Sequence, residues 1–116
     1  MATTPARFRT LALALPQTVE GAHQGHADFR VGGKIFATLG YPDPAWGMVK
    51  LTPEQQETFL RVAPEVFVPA KGAWGRQGST TVHLQRVSAA LLRDALAQAW
   101  RNLVPAAAAD SSGRAG

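Results

Sequence analysis

Hydrophobic residues along the chain recur with two periods, and the period of a helix occurs in three segments. We predict helices over residues 5–15, 53–63 and 89–103, each preceded by a serine or threonine that can cap the first turn. Proline at the first helical position strengthens the first two starts. The predicted buried faces consist of Phe8, Leu11, Ala12 and Leu15; of Phe59, Leu60 and Ala63; and of Leu91, Leu92, Ala95, Leu96, Ala99, Trp100 and Leu103.

The other segments alternate between apolar and polar residues, which is typical of strands. Strands are predicted over residues 28–31, 34–39, 48–51, 66–70 and 79–85. Gly32-Gly33 predicts a hairpin between the first two. A two-residue turn would pair Val31 with Lys34, whereas a glycine bulge would pair Val31 with Ile35 and keep the apolar side chains together. We therefore favour the bulged register.

The predicted order α-β-β-β-α-β-β-α indicates an α+β fold, in which the N- and C-terminal helices cover one face of a twisted antiparallel sheet. The 116 residues are enough for one hydrophobic core. We assign residues 1–104 to a single domain. Residues 105–116 are rich in alanine, serine and glycine, so we expect a disordered C-terminal tail.

The composition narrows the class of protein. No cysteine is present, which excludes disulfides, thiolate zinc sites and cysteine nucleophiles and fits the cytoplasm. The longest apolar stretch, residues 11–15, is too short to span a bilayer and no signal-peptide cleavage pattern follows it. We expect a cytoplasmic monomer without membrane association, and the sequence does not indicate which proteins it would bind.

The segment EGAHQGHADF places Glu20, His23, His26 and Asp28 close together, as a metal or catalytic site would. Their spacing matches no strong zinc pattern, and His83 lies on a distant predicted strand. The alternative is that these side chains hydrogen-bond to the backbone that leads into the hairpin. Neither a Gly-x-Ser-x-Gly elbow nor a phosphate-binding glycine loop occurs. We therefore expect no bound metal, no cofactor and no enzymatic activity.

Basic residues form the most coherent pattern. The net charge is +4, from 12 Lys and Arg against 8 Asp and Glu, which favours an anionic partner. Several cations fall on strand positions opposite the apolar set, and others flank a tryptophan in the glycine-rich segment 71–78. Such a surface suits phosphate contacts and base stacking. The predicted nucleic-acid-binding residues are Arg30, Lys34, Lys50, Lys71, Trp74, Arg76 and His83.

Three alternatives remain at this point. The face could be an ordinary solvated sheet surface, with the tryptophans folded back as lids on the core. The chain could be a protein-interaction module, whose partner surface would be apolar. It could also be a small-molecule or metal-binding domain that uses His23 and His26, which would require a deep pocket where these residues and His83 converge.

Three motifs resemble the MmcQ/YjbR-like family: His23-x-x-His26-x-x-Phe29-x-Val31-x-x-Lys34-Ile35-Phe36, Gly72-Ala73-Trp74-Gly75-Arg76, and Leu91-Leu92-x-x-x-Leu96-x-x-Ala99-Trp100-Arg101. The resemblance covers roughly residues 7–104 and implies a frataxin/CyaY-like fold and DNA binding through a proposed double-wing arrangement. Gln24 and Ala27 stand where the family often has an aromatic residue and a proline. The frataxin side implies an iron site on an acidic first helix, but Arg7 and Arg9 take those positions here.

Overall fold

The computed structural model describes residues 3–104, which form four helices and six strands. The elements are, in chain order, α1 (Pro5–Leu13), β1 (Val19–His23), β2 (His26–Val31), β3 (Lys34–Leu39), β4 (Trp46–Lys50), α2 (Pro53–Val62), β5 (Phe67–Pro69), α3 (Gly72–Arg76), β6 (Ser79–His83) and α4 (Ala89–Leu103). All pairings are antiparallel, and the sheet order is β1-β2-β3-β4-β6-β5. The predicted α+β fold is confirmed. The predicted tail, residues 105–116, lies outside the described residues.

The three long helices begin where the sequence predicts, because each has a side-chain cap. The hydroxyl of Thr4 accepts a hydrogen bond from the backbone N–H of Arg7, and Ser88 accepts one from Leu91. Thr52 forms a full capping box with Gln55. The hydroxyl of Thr52 accepts from the backbone N–H of Gln55, and the side chain of Gln55 accepts from the backbone N–H of Thr52. No helix in the described part of the chain is long and apolar enough to cross a membrane.

Helices α1 and α4 cover one face of the sheet, which we call the covered face. Its strand residues are Phe29, Ala37, Leu39, Gly47, Val49, Thr80 and Val82. Phe8 of α1 and Leu96 of α4 are fully buried against it. Phe8 lies so near the sheet that a Cβ on Gly47 would be 2.5 Å from its ring, so glycine is required there. Trp100 of α4 is half-buried, and its indole N–H donates to the carbonyl of Pro16 at 3.0 Å.

The sheet contains six strands rather than the five predicted, because residues 19–23 form the additional edge strand β1. This strand pairs with β2 from Val19 opposite Arg30 to His23 opposite His26. Gln24 and Gly25 close the hairpin with φ angles of 51° and 80°, as a tight two-residue turn requires. Strand β1 carries few apolar residues and is largely exposed, so no hydrophobic alternation reveals it.

The register predicted for the second hairpin is wrong. Val31 pairs with Lys34, and Arg30 with Ile35, around a two-residue turn in which both glycines have positive φ. A bulge follows between Phe29 and Arg30, so that Phe29 lies opposite Ala37. This bulge brings the apolar residues back to the covered face. The prediction assigned that effect to a bulge at the turn itself.

A short helix replaces the predicted loop after β5. Helix α3 contains only five residues, Gly72–Arg76, and a close contact holds it against the end of β5. A Cβ on Gly75 would collide with the carbonyl oxygen of Ala70, so only glycine allows this approach. The side-chain amide of Gln56 in α2 donates to the carbonyl of Gly75 at 3.0 Å. Trp74 is thereby held at a fixed place beside the sheet.

Candidate binding cleft on the open sheet face

The face of the sheet opposite the helices, which we call the open face, contains a cleft of 740 Å³. Cross-strand partners such as Thr38 and Met48 form its floor, and the loop after β3 and helix α3 flank it. Clefts of a few hundred to about 1,000 Å³ are the usual size for small-molecule sites. The lining residues are His23, Gln24, His26, Ile35, Thr38, Tyr41, Met48, Lys50, Leu51, Trp74, Gln77 and Ser79.

Aromatic side chains form one wall of the cleft. The ring of Tyr41 lies 6.3 Å from that of Trp74 and 6.2 Å from that of His26, in edge-to-face arrangements. Trp74 is 56% exposed, although tryptophan is usually largely buried. Tyr41 also borders a second cavity of 150 Å³, which Lys71 and Trp46 help to line. The wall therefore offers exposed ring surface to a ligand.

A buried carboxylate organises the end of the cleft nearest β1. Asp28 is fully buried, and its Oδ1 accepts from Nε of Arg30 at 2.7 Å while its Oδ2 accepts from Nη2 at 3.0 Å. The same Oδ2 lies 2.7 Å from Nδ1 of His23. Arg30 can reach across β1 because Gly21 has no side chain: a Cβ there would be 3.0 Å from both Nε of Arg30 and Oδ1 of Asp28.

Electrostatics keep this carboxylate charged. The hydrogen bond from Arg30 is the main cause that lowers the pKa of Asp28, and the hydrogen bond from His23 lowers it further, against the opposing effect of burial. The hydrogen bond to Asp28 in turn raises the pKa of Arg30. Because an ionised carboxylate only accepts, Nδ1 of His23 is the protonated nitrogen and Nε2 is left for another partner.

Three cations near the cleft are not paired with acids. Lys50 lines the cleft, Lys71 lines the second cavity, and Arg76 is exposed in the last turn of α3. None of the three has a carboxylate within salt-bridge distance in residues 3–104. No Asp or Glu is among the lining residues, and the buried carboxylate of Asp28 beside the cleft is neutralised by Arg30. The cleft therefore presents a net positive surface.

The structure places the predicted binding residues in different situations. Lys50 and Trp74 line the cleft together, with Lys71 and Arg76 at either end of α3. Lys34 is exposed at the β2–β3 turn and lines neither cavity. Arg30 forms a salt bridge with Asp28.

His83 packs its ring 4.7 Å from that of Trp46 and also lines neither cavity. Its Nδ1 is buried and has no hydrogen-bond partner in the described part of the chain. The three histidines therefore do not converge: His23 and His26 meet at the cleft, and His83 lies elsewhere. No group of three His, Asp or Glu side chains is arranged to hold a metal ion within residues 3–104.

Sequence reasoning missed Tyr41, Gln77 and the role of Asp28. Tyr41 lies in the segment GYPDPAWG, where proline and glycine predict only a turn. Asp28 lies in a strand that alternates polar and apolar residues, so its position in the sequence does not indicate that it is buried. Its partners His23 and Arg30 come within reach only through the hairpin that β1 forms with β2.

The YjbR family model matches residues 13–102. The chain belongs to the YjbR family. The fold is also similar to the crystal structure of the Deinococcus radiodurans protein DR2400, a DUF419-domain protein, with a TM-score of 0.76 at 20% identity. That alignment covers 97% of this chain and 88% of the other. No curated protein matches the sequence. The family membership confirms the resemblance drawn from the motifs, and the cleft lies within the matched residues.

Proposed function

We propose that this YjbR-family protein is a non-enzymatic, weak nucleic-acid-binding protein, with DNA as the expected partner, and that the open face makes the contacts. The observation that carries the proposal is the placement of Trp74, 56% exposed on α3, between the unpaired cations Lys71 and Arg76 and beside the cleft. Exposed aromatic rings flanked by cations suit bases and phosphates respectively.

The mode of binding follows from what the open face offers. Of the four helices in residues 3–104, α1 and α4 pack on the covered face, α2 packs against β5 and β6, and only the five-residue α3 flanks the cleft. We therefore expect no helix to read a major groove. Contacts to phosphate should therefore dominate, with little dependence on sequence. Dissociation constants of the order of micromolar or weaker are typical of such binding.

A small-molecule site is the second candidate, because the cleft has the volume of one and His23 and His26 both line it. Two features favour nucleic acid. The unpaired cations extend beyond the cleft to Lys71 and Arg76, and the net charge is +4. A monomeric, cytoplasmic protein without bound metal stays our prediction.

Fluorescence anisotropy with labelled single-stranded and duplex oligonucleotides tests the proposal, across a salt series from about 50 to 200 mM. We expect K71A/R76A to bind about tenfold more weakly and to flatten the salt slope, since each lost phosphate contact reduces that slope by about 1. The matched control is R93A/R101A, which removes the same charge from exposed positions on α4.

Two results would end the proposal. One is the absence of binding by the native protein at about 50 μM in about 50 mM salt, where even non-specific binding is detectable. The other is an equal loss of affinity in both double variants, because net charge alone, and not the open face, would then govern binding.

A further inference from the structure

The cleft is built differently from a surface that only holds a phosphate backbone. Its floor includes the apolar side chains of Ile35, Met48 and Leu51, and the rings of Tyr41 and Trp74 stand beside it. A flat, partly apolar group is needed to fill such a space, and the phosphates of a duplex cannot do so. A nucleobase has this shape, and base–aromatic stacking tolerates any base.

The end of the cleft also holds a polar group in a defined orientation. Asp28 fixes the imidazole of His23 through Nδ1 at 2.7 Å, and His23 lines the cleft. The remaining nitrogen, Nε2, is an acceptor while the ring is neutral. Gln24 and Gln77 line the same cleft, and a glutamine side-chain amide offers both donors and an acceptor. These groups match the amino, imino and carbonyl groups on the edge of a base.

Charge is also arranged for a nucleotide. Arg30 cancels the charge of Asp28, so the buried carboxylate does not repel an anion. Lys50 lines the cleft without an acidic partner in the described residues, where it can contact the phosphate attached to the bound base. Lys71 and Arg76 can contact the neighbouring phosphates of the same strand.

We propose that the cleft accepts one unstacked nucleotide of a strand, with its base against Trp74 and its edge at His23, so that the protein prefers unpaired to paired nucleotides. This inference rests on the proposed function and deepens it by naming the substrate class. In a duplex the base is stacked and its pairing edge is occupied, so entry would require the cost of unpairing it.

Three labelled DNA hairpins test the proposal by anisotropy: one fully paired, one with a single bulged thymidine, and one with an abasic spacer at the bulge. The last two carry equal charge and differ only in the base. We expect the bulged thymidine to bind about tenfold more tightly than the abasic bulge, as one stacked base typically provides. The abasic bulge should bind like the paired hairpin.

Variants tie the preference to the cleft. W74A and H23A should each bring the ratio of the affinities for the bulged thymidine and the abasic bulge from about tenfold to near one, and this ratio stays informative even where overall binding weakens. W74F retains an aromatic ring, so it should keep the preference that W74A loses. R93A on α4 is the control for a substitution at an exposed residue outside the cleft.

The outcomes separate this inference from the proposed function. Equal affinity of the native protein for all three hairpins would overturn the base site while nucleic-acid binding stands. A preference that persists in W74A and H23A would also overturn it, because the base would then bind elsewhere. Failure of every hairpin to bind would overturn both proposals.

Discussion

The two faces of the sheet are made by the same strands and have opposite characters. In β2, Phe29 is fully buried under the helices, whereas its neighbour Asp28 points to the open face. In β4, Val49 belongs to the core and Lys50 lines the cleft. Strand alternation thus places the core on one face and the cleft on the other. Since we propose that the open face makes the contacts with nucleic acid, substitutions on the covered face should reduce stability, and those on the open face should mainly change binding.

The largest effect expected is that of L96A, which removes the centre of α4 from the covered face. Leu96 is fully buried, so the lost contacts and the cavity should cost about 2–5 kcal/mol of unfolding free energy. The matched control is L13A in α1, because Leu13 is 39% exposed and should cost less than about 1 kcal/mol. Urea denaturation measures both. Similar costs for the two variants would contradict the assignment of Leu96 to the core.

The next effect tests whether the open face is entirely free of structural roles. D28N removes the negative charge and replaces one of the two accepting oxygens with an NH2 donor, so Arg30 and His23 cannot both keep their acceptors, and we expect a loss of about 1–3 kcal/mol at neutral pH. Arg30 is partly exposed, which lets water replace some of what it loses. An unchanged stability would mean that the carboxylate is not the organising group of this end of the cleft.

The same variant should show a defined pH dependence. The pKa of Asp28 is lowered in the folded protein from its ordinary value of 3.8, chiefly by Arg30, so the unfolded chain binds the proton first as the pH falls. The stabilisation is present above the ordinary value and is lost as the pH falls through the folded value. The difference in unfolding free energy between native protein and D28N should therefore stay constant from neutral pH to about pH 5 and shrink as the pH falls further towards about pH 3. A difference that grows on acidification would reverse the sign of the argument.

The sequence predicts the covered face well because hydrophobic burial leaves a periodic signal. The structure buries Leu92 and Leu96, as the helical period of α4 predicts. The predicted caps, Thr52 and Ser88, also begin their helices. Some of the same residues also form the motifs that resemble the MmcQ/YjbR-like family. The match of the family model over residues 13–102 confirms that resemblance. Local patterns therefore predicted the three long helices, five of the six strands and the packing of the terminal helices on one face.

The cleft was harder to predict, because it depends on which strands meet. Strand β1 is polar and exposed, so nothing in its sequence indicates that His23 will reach Asp28. Charge counting ranked Arg30 among the free cations, although Asp28 binds it. Trp74 is among the residues that the sequence predicts and it lines the cleft, but Tyr41, its partner in the wall, lies more than thirty residues away in the sequence and is not among them. Contacts between elements carry this information, and single-residue patterns do not.

A smaller effect is expected from G21A, which tests how tightly β1 is fitted to the open face. The new Cβ would be 3.0 Å from both Nε of Arg30 and Oδ1 of Asp28, so the arginine must shift by a few tenths of an ångström. We expect a cost of about 1 kcal/mol in urea denaturation. The cost should fall in an R30A background, where the crowding side chain is absent. Additive effects would show that Gly21 and Arg30 act independently.

The smallest effect on stability is expected from W74A, although this variant should matter most for binding. Trp74 is 56% exposed, and its ring contact is with Tyr41 at 6.3 Å, so its removal should cost less than about 1 kcal/mol. That is well below the cost expected for L96A, although more side-chain atoms are removed. Urea denaturation of W74A beside W74F isolates the contribution of the ring.

A cost of W74A similar to that of L96A would mean that this tryptophan is a lid on the core after all, and the contrast between the two faces would fail at its most exposed point. A small loss of unfolding free energy together with a lost preference for an unpaired base would instead show that the wall of the cleft serves binding and contributes little to stability. A ring as large as indole stays half in water only at some expense of hydrophobic free energy. Contact with a ligand would recover that free energy, which is why this residue is the decisive one to change.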